Sequence, residues 1–226
     1  MRKSIFFILL LLTAMTVRAQ DDPEYRMEIG AGTGLLTYEG DFNGNLFKES
    51  QPMASFVLRR TFSPWIALKL NAFTGKVKGS SENVETKYPD YLNEPYTFDR
   101  SLYDVCLSFE YNFMPYGTGR DYRGAKRLVP FAFIGLGATV SSGDGKTAAG
   151  LNMPIGIGLK YKIGERLNLG LEWAMHFSQS DEIDGLKDPY SIKSSGLFKN
   201  TDCYSALQLT LTYSFMAKCV TCNKDY

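Results

Sequence analysis

His176 is the only histidine in the chain, and Glu172 precedes it by four residues. Ser178 and Ser180 follow immediately. A histidine beside a carboxylate and a hydroxyl is the grouping that activates a serine for acyl transfer. Small barrels that hydrolyse or transfer lipid acyl chains could use such a group, provided it reaches lipid. The surrounding pattern argues against that reading. Leu167, Leu169, Leu171, Trp173, Met175 and Phe177 alternate with Asn168, Gly170, Glu172, Ala174 and His176. Period-two alternation marks a strand with two unlike faces and puts Glu172 and His176 on the polar one.

Other chemical motifs are weaker. Gly30, Gly32 and Gly34 suggest a dinucleotide loop, but the spacing is wrong and no helix follows. They share one face of a strand, where they make room or permit strong coiling. Gly145-Lys146-Thr147 lacks the earlier glycine of a phosphate loop, since Val140 stands there. Cys219 and Cys222 form a lone CxxC with no second pair and no nearby histidine, a weak zinc signal. A local disulfide and a pair of thiols open to a partner both remain. Cys106 and Cys203 lie on opposite strand faces, which argues against their pairing. Met114–Arg127 carries Arg120, Arg123, Lys126 and Arg127 against Asp121 alone, a basic segment suited to acidic lipid or an acidic protein surface. No catalytic, metal or cofactor site is expected.

The elements that position these residues are strands. Alternation recurs at Arg26–Tyr38, Met53–Thr61, Ile66–Phe73, Tyr103–Phe113, Leu128–Val140, Met153–Ile163, Leu167–Phe177 and Ser205–Phe215. No helical period of useful length competes. Short turns at Phe62-Ser63-Pro64 and Gly164-Glu165-Arg166 face one way. Longer loops at Glu39–Ser50, Gly79–Arg100, Ser141–Gly150 and Ser178–Asp202 face the other. Long strands, an even count and this loop asymmetry fit an eight-stranded antiparallel up-and-down transmembrane β-barrel. Nine to eleven tilted residues span a bilayer, and closure leaves no edge in hydrocarbon. Phe62, Trp65, Tyr111, Phe113, Tyr161, Tyr213 and Phe215 cluster at the short-turn end as an interfacial girdle would. Tyr38, Tyr103 and Phe177 fall at the other end. A soluble lipocalin-like barrel would turn its apolar face inward instead.

The inward face then carries Glu28, Arg59, Lys69, Asp104, Glu110, Lys160, Glu172 and His176. An eight-stranded barrel is narrow enough for side chains to fill. These charges are therefore expected to pair as a plug, aided by Phe73, rather than to line an ion path.

Arg2 and Lys3, the apolar run Ile5–Leu12 and Val17-Arg18-Ala19 read as a signal peptide over residues 1–19. The barrel follows over residues 20–216, with a tail at Ala217–Tyr226. Removing Arg2, Lys3 and Arg18 takes the net charge from +1 to −2, which disfavours nucleic acid as a partner.

Four stretches carry a family resemblance: "EIGAGTGLLTYEGDF" (Glu28–Phe42), "FEYNFMPYG" (Phe109–Gly117), "VPFAFIGLGA" (Val129–Ala138) and "LTYSFMAKCVTC" (Leu211–Cys222). They resemble the PorG-like outer-membrane barrels of the Bacteroidetes type IX secretion system. The Tyr38–Asp41 motif and the cysteine tail are its more specific features. The resemblance implies a non-enzymatic barrel that contacts a periplasmic ring formed by a lipoprotein and its soluble partner. The even strand count and the loop asymmetry put both termini in the periplasm, with Arg120, Arg123, Lys126, Arg127, Cys219 and Cys222 as candidate partner-binding residues. The alternatives are a lipid-modifying hydrolase using His176 and a surface adhesion barrel using Gly79–Arg100 and Ser178–Asp202.

Overall fold

The structure is a computed structural model. It describes residues 24–39, 49–80, 97–119, 124–143, 146–179 and 202–217. The expected signal peptide, Arg120, Arg123, Ser180, Cys219 and Cys222 lie outside the described residues.

Eight strands close into one antiparallel barrel in sequence order. They are β1 Tyr25–Glu39, β2 Gln51–Ser63, β3 Ile66–Ser80, β4 Thr97–Asn112, β5 Leu128–Gly143, β6 Lys146–Lys162, β7 Leu167–Ser178 and β8 Cys203–Ala217. β1 closes on β8 from Tyr25↔Ala217 to Glu39↔Cys203. The last strand thus takes in Ala217. Strands of 12–17 residues exceed the nine to eleven that span a bilayer, so their ends project beyond it.

The alternation sets inside against outside. Leu107, Leu136, Ile157, Leu171 and Leu211 point outward and are exposed, while Arg59, Lys69, Glu110, Lys160 and Glu172 point inward and are buried. This is the reverse of a soluble barrel, and it leaves an apolar band facing lipid. Phe62, Tyr111, Phe113, Tyr161 and Tyr213 stand exposed at the end where β1 begins and β8 ends, here called the terminal rim.

Two turns at this rim are tight for visible reasons. Ser63 Oγ accepts the N–H groups of Trp65 (3.3 Å) and Ile66 (3.2 Å), which folds the chain over Pro64. The Ile163 N–H bonds to the Leu167 carbonyl at 2.9 Å and closes the β6–β7 turn. The β1 glycines serve close approach: a Cβ on Gly30 or Gly34 would strike the β8 backbone at Leu211 or Leu207. One on Gly32 would meet Ser55 Oγ and Thr210 Cγ2.

Three expectations change. Ser141–Gly150 is not a loop: β5 and β6 stay paired out to Gly143↔Lys146. Gly79–Arg100 shortens at both ends because β3 and β4 pair out to Ser80↔Thr97. Above the lipid, polar residues such as Ser142 and Thr147 can occupy strand positions without desolvation, so sheet pairing continues where sequence polarity suggests loop. Tyr38 is no part of an outer girdle. It faces inward, fully buried, and its hydroxyl donates to Asp202 Oδ1 at 2.5 Å.

Candidate functional site: a sealed lumen and a pinned terminal rim

The lumen is filled in layers. Toward the far end lies an apolar cluster of Leu36, Tyr38, Met53, Phe73, Val77 and Phe98, with Leu102, Tyr204 and Ala206. Phe73 meets His176 edge-on at 5.3 Å, and His176 stacks on Tyr204 at 4.6 Å. His176 is 2% exposed. Its ring packs among aromatics, and the Glu172 carboxylate is held elsewhere. Ser178 is buried, and its N–H bonds to the Asp202 carbonyl. No nucleophile–base–carboxylate relay forms among the described residues.

Below this cluster, Asp104 Oδ2 accepts from Tyr204 (2.6 Å), Thr139 (2.8 Å) and Asn152 Nδ2. Four strands therefore share one hydrogen-bonded knot. Cys106 is buried and Cys203 half-buried, and no disulfide joins them.

The charged layer comes next. Arg59 donates from Nη1 to Glu28 (2.5 Å), from Nε to Glu110 (2.8 Å) and from Nη2 to Glu172 (3.2 Å). Lys69 bridges Glu172 (2.5 Å) and Glu110 (3.3 Å). Lys160 also holds Glu110, and Gln208 Nε2 donates to Glu172 at 2.8 Å. Three cations face three carboxylates, so the layer carries no net charge when all are ionised. Burying charges is costly unless they are paired and hydrogen-bonded. Here six strands supply those charges: parity turns each one inward, and strand register brings them to a similar depth.

Aromatics line the lower edge. Lys69 Nζ lies 4.0 Å from the Phe133 ring centroid, and Lys160 Nζ lies 4.2 Å from that of Phe131. Beneath them the described ends of the Met114–Arg127 connection fold back across the mouth. The Tyr116 N–H bonds to the Pro64 carbonyl, and the Lys126 N–H bonds to the Pro115 carbonyl. Tyr116 is buried below Lys160 and Lys162, whose ammonium groups sit 5.8 and 5.2 Å from its ring. Glu24 accepts from the N–H (2.8 Å) and hydroxyl (2.8 Å) of Thr118. The described ends of this connection are thus fastened to the barrel, while Lys126 and Arg127 are exposed.

Three buried groups escape the sequence reading. Arg100, 1% exposed, donates to Ser141 Oγ (2.9 Å) and to the carbonyls of Gly143 (3.3 Å) and Lys146 (3.1 Å), pinning the β5–β6 hairpin. Extending the β4 alternation upward from Asp104 through Leu102 would have found it. Tyr204 likewise continues the inward face of β8. Tyr116 sits in a turn, where no periodicity signals burial.

Residues 2–224 match the family described as Domain of unknown function (DUF6089). No curated protein matches. Among solved structures, Neisserial surface protein A shares 10% identity at a TM-score of 0.51, covering 84% of this chain and 97% of that one. OprG from Pseudomonas aeruginosa shares 12% identity at 0.47, covering 88% and 99%. Ail, the attachment invasion locus protein of Yersinia pestis, shares 10% at 0.46, covering 86% and 99%. At such identities the likeness is one of fold.

Proposed function

The chain belongs to the DUF6089 family, and from that premise we propose that it is a non-enzymatic outer-membrane barrel with both termini in the periplasm. Its work is to anchor or help assemble a periplasmic ring of the type IX protein secretion machinery. The lipoprotein of that ring and its soluble partner are the contacts implied by the sequence resemblance. One observation carries the reading. The described ends of the Met114–Arg127 connection, residues 114–119 and 124–127, are fastened under a filled lumen, and Lys126 and Arg127 are exposed there. A plugged barrel offers no conduit, and the His176 ring has no catalytic partner among the described residues. What remains is a rigid basic surface at the terminal rim, continuous in sequence with Arg120 and Arg123. The tail bearing Cys219 and Cys222 follows in sequence from Ala217, which ends β8 at the same rim.

Photocrosslinkers placed at Lys126 and Arg127 in cells test this directly. Adducts with the ring lipoprotein or its soluble partner are expected. Adducts to other envelope proteins alone would overturn the assignment.

A further inference from the structure

The outward face carries few charges, and their placement is not random. At outward strand positions in the terminal half of the barrel, Arg60 is the one charged residue among the described residues. Its guanidinium lies 5.2 Å from the Phe62 ring centroid. A second arginine reaches the same zone from the β6–β7 turn. Arg166 Nη1 donates to the Tyr213 hydroxyl at 3.0 Å, and its guanidinium lies 5.9 Å from the Tyr25 ring centroid.

Register brings the two together. Arg60 on β2 is opposite Met27 on β1, and Met27 is opposite Phe215 on β8. Tyr25 and Tyr213 flank that row on β1 and β8. The strands that hold them, β2 for Arg60 and β8 for the Tyr213 bound by Arg166, stand on either side of β1, two interstrand spacings or ~10 Å apart. Met27 and Phe215 stand in the row that joins these strands, at the lower edge of the apolar band. The nearest acid in the sequence is Glu165, exposed in the Arg166 turn.

We propose that Arg60 and Arg166 form a two-guanidinium clamp for the phosphate of an anionic phospholipid in the periplasmic leaflet, its acyl chains lying over Met27, Ile29 and Phe215. Three features select this ligand. Guanidinium geometry matches phosphate oxygens. The clamp stands at the boundary between apolar and aqueous surface, where a headgroup lies and a soluble anion has no apolar contact to gain. Aromatic rings hold both arginines at this height, which lowers the entropy lost on binding. The leaflet assignment rests on the orientation proposed above; the clamp does not.

The test folds the mature full-length barrel in detergent containing equal phosphatidylglycerol and phosphatidylcholine, and counts retained lipids by native mass spectrometry. Phosphatidylglycerol is expected to be enriched several-fold, falling roughly fivefold for each of Arg60→Gln and Arg166→Gln. Arg60→Lys with Arg166→Lys keeps the charges and retains part of the enrichment, and heat-dependent gel mobility verifies folding of every variant. Equal retention of both lipids by the unaltered protein, or unchanged enrichment in the folded double glutamine variant, would overturn the clamp. So would loss of enrichment in Lys76→Gln with Lys78→Gln, a pair at the opposite rim. Surface accessibility of a terminal tag in intact cells tests orientation separately. A tag exposed at the cell surface would overturn the periplasmic leaflet while leaving the in vitro enrichment intact.

Discussion

Arg59 on β2 reaches across the lumen to Glu110 on β4 at 2.8 Å, while its other nitrogens hold Glu28 and Glu172. Removing that guanidinium would leave three carboxylates facing two lysines in a dry interior. Arg59→Ala is expected to cost about 3–5 kcal/mol, the usual penalty for stranding a buried charge. Denaturant titration of the folded barrel in detergent checks this. Replacing all six charges of the layer, Glu28, Arg59, Lys69, Glu110, Lys160 and Glu172, together with apolar residues of similar volume should recover much of the loss, since a satisfied apolar core can equal a paired one.

The inside–outside assignment has an equally direct consequence. Leu171 is 44% exposed on the outward face, and its neighbour Glu172 is buried. Leu171→Arg should cost about 2–4 kcal/mol near the midplane and impair insertion into bilayers. Unchanged folding in lipid would contradict the assignment.

Closure of the barrel depends on the absence of side chains at Gly30 and Gly34. Valine at either position would put a Cβ into the β8 backbone, where no flexible group can yield. Gly30→Val and Gly34→Val are expected to abolish the heat-modifiable folded band in gels. A folded barrel in both variants would show that the β1–β8 seam is looser than its register implies.

A lumen filled from Phe73 down to Tyr116 should not conduct. The full-length protein in planar bilayers is expected to show no large, steady current. Reproducible porin-like channels would revive the transport reading that the plug disfavours.

Much of this architecture is legible in the sequence because period-two alternation maps directly onto the two faces of a strand. Leu171 and Glu172 declare opposite faces unaided, and strand length, aromatic placement and loop asymmetry decide which face meets lipid. Parity puts Glu28, Arg59 and Lys160 on one face, yet only the register of β1, β2, β4 and β6 brings their side chains to common partners. Arg100 was hidden because FDRSLYD reads as an acidic loop, although Phe98, Arg100 and Leu102 continue the inward face. Ser141–Gly150 misled for the related reason that Ser, Gly and Asp signal turns, whereas pairing with neighbouring strands overrides such local preference. Tyr116 could not be foreseen, since a turn residue is buried only by what folds back beneath it.

The central claim is that the terminal rim anchors a periplasmic ring, and co-purification tests it most directly. A tagged barrel would be isolated from cells beside two variants. One deletes residues 218–226, and the other reverses Arg120, Arg123, Lys126 and Arg127 to glutamate, with heat-dependent gel mobility verifying that each barrel is folded. The account predicts that the ring lipoprotein and its soluble partner accompany the unaltered barrel and are strongly depleted in at least one folded variant. Full recovery of the ring with both variants, or its absence from the unaltered barrel, would contradict it.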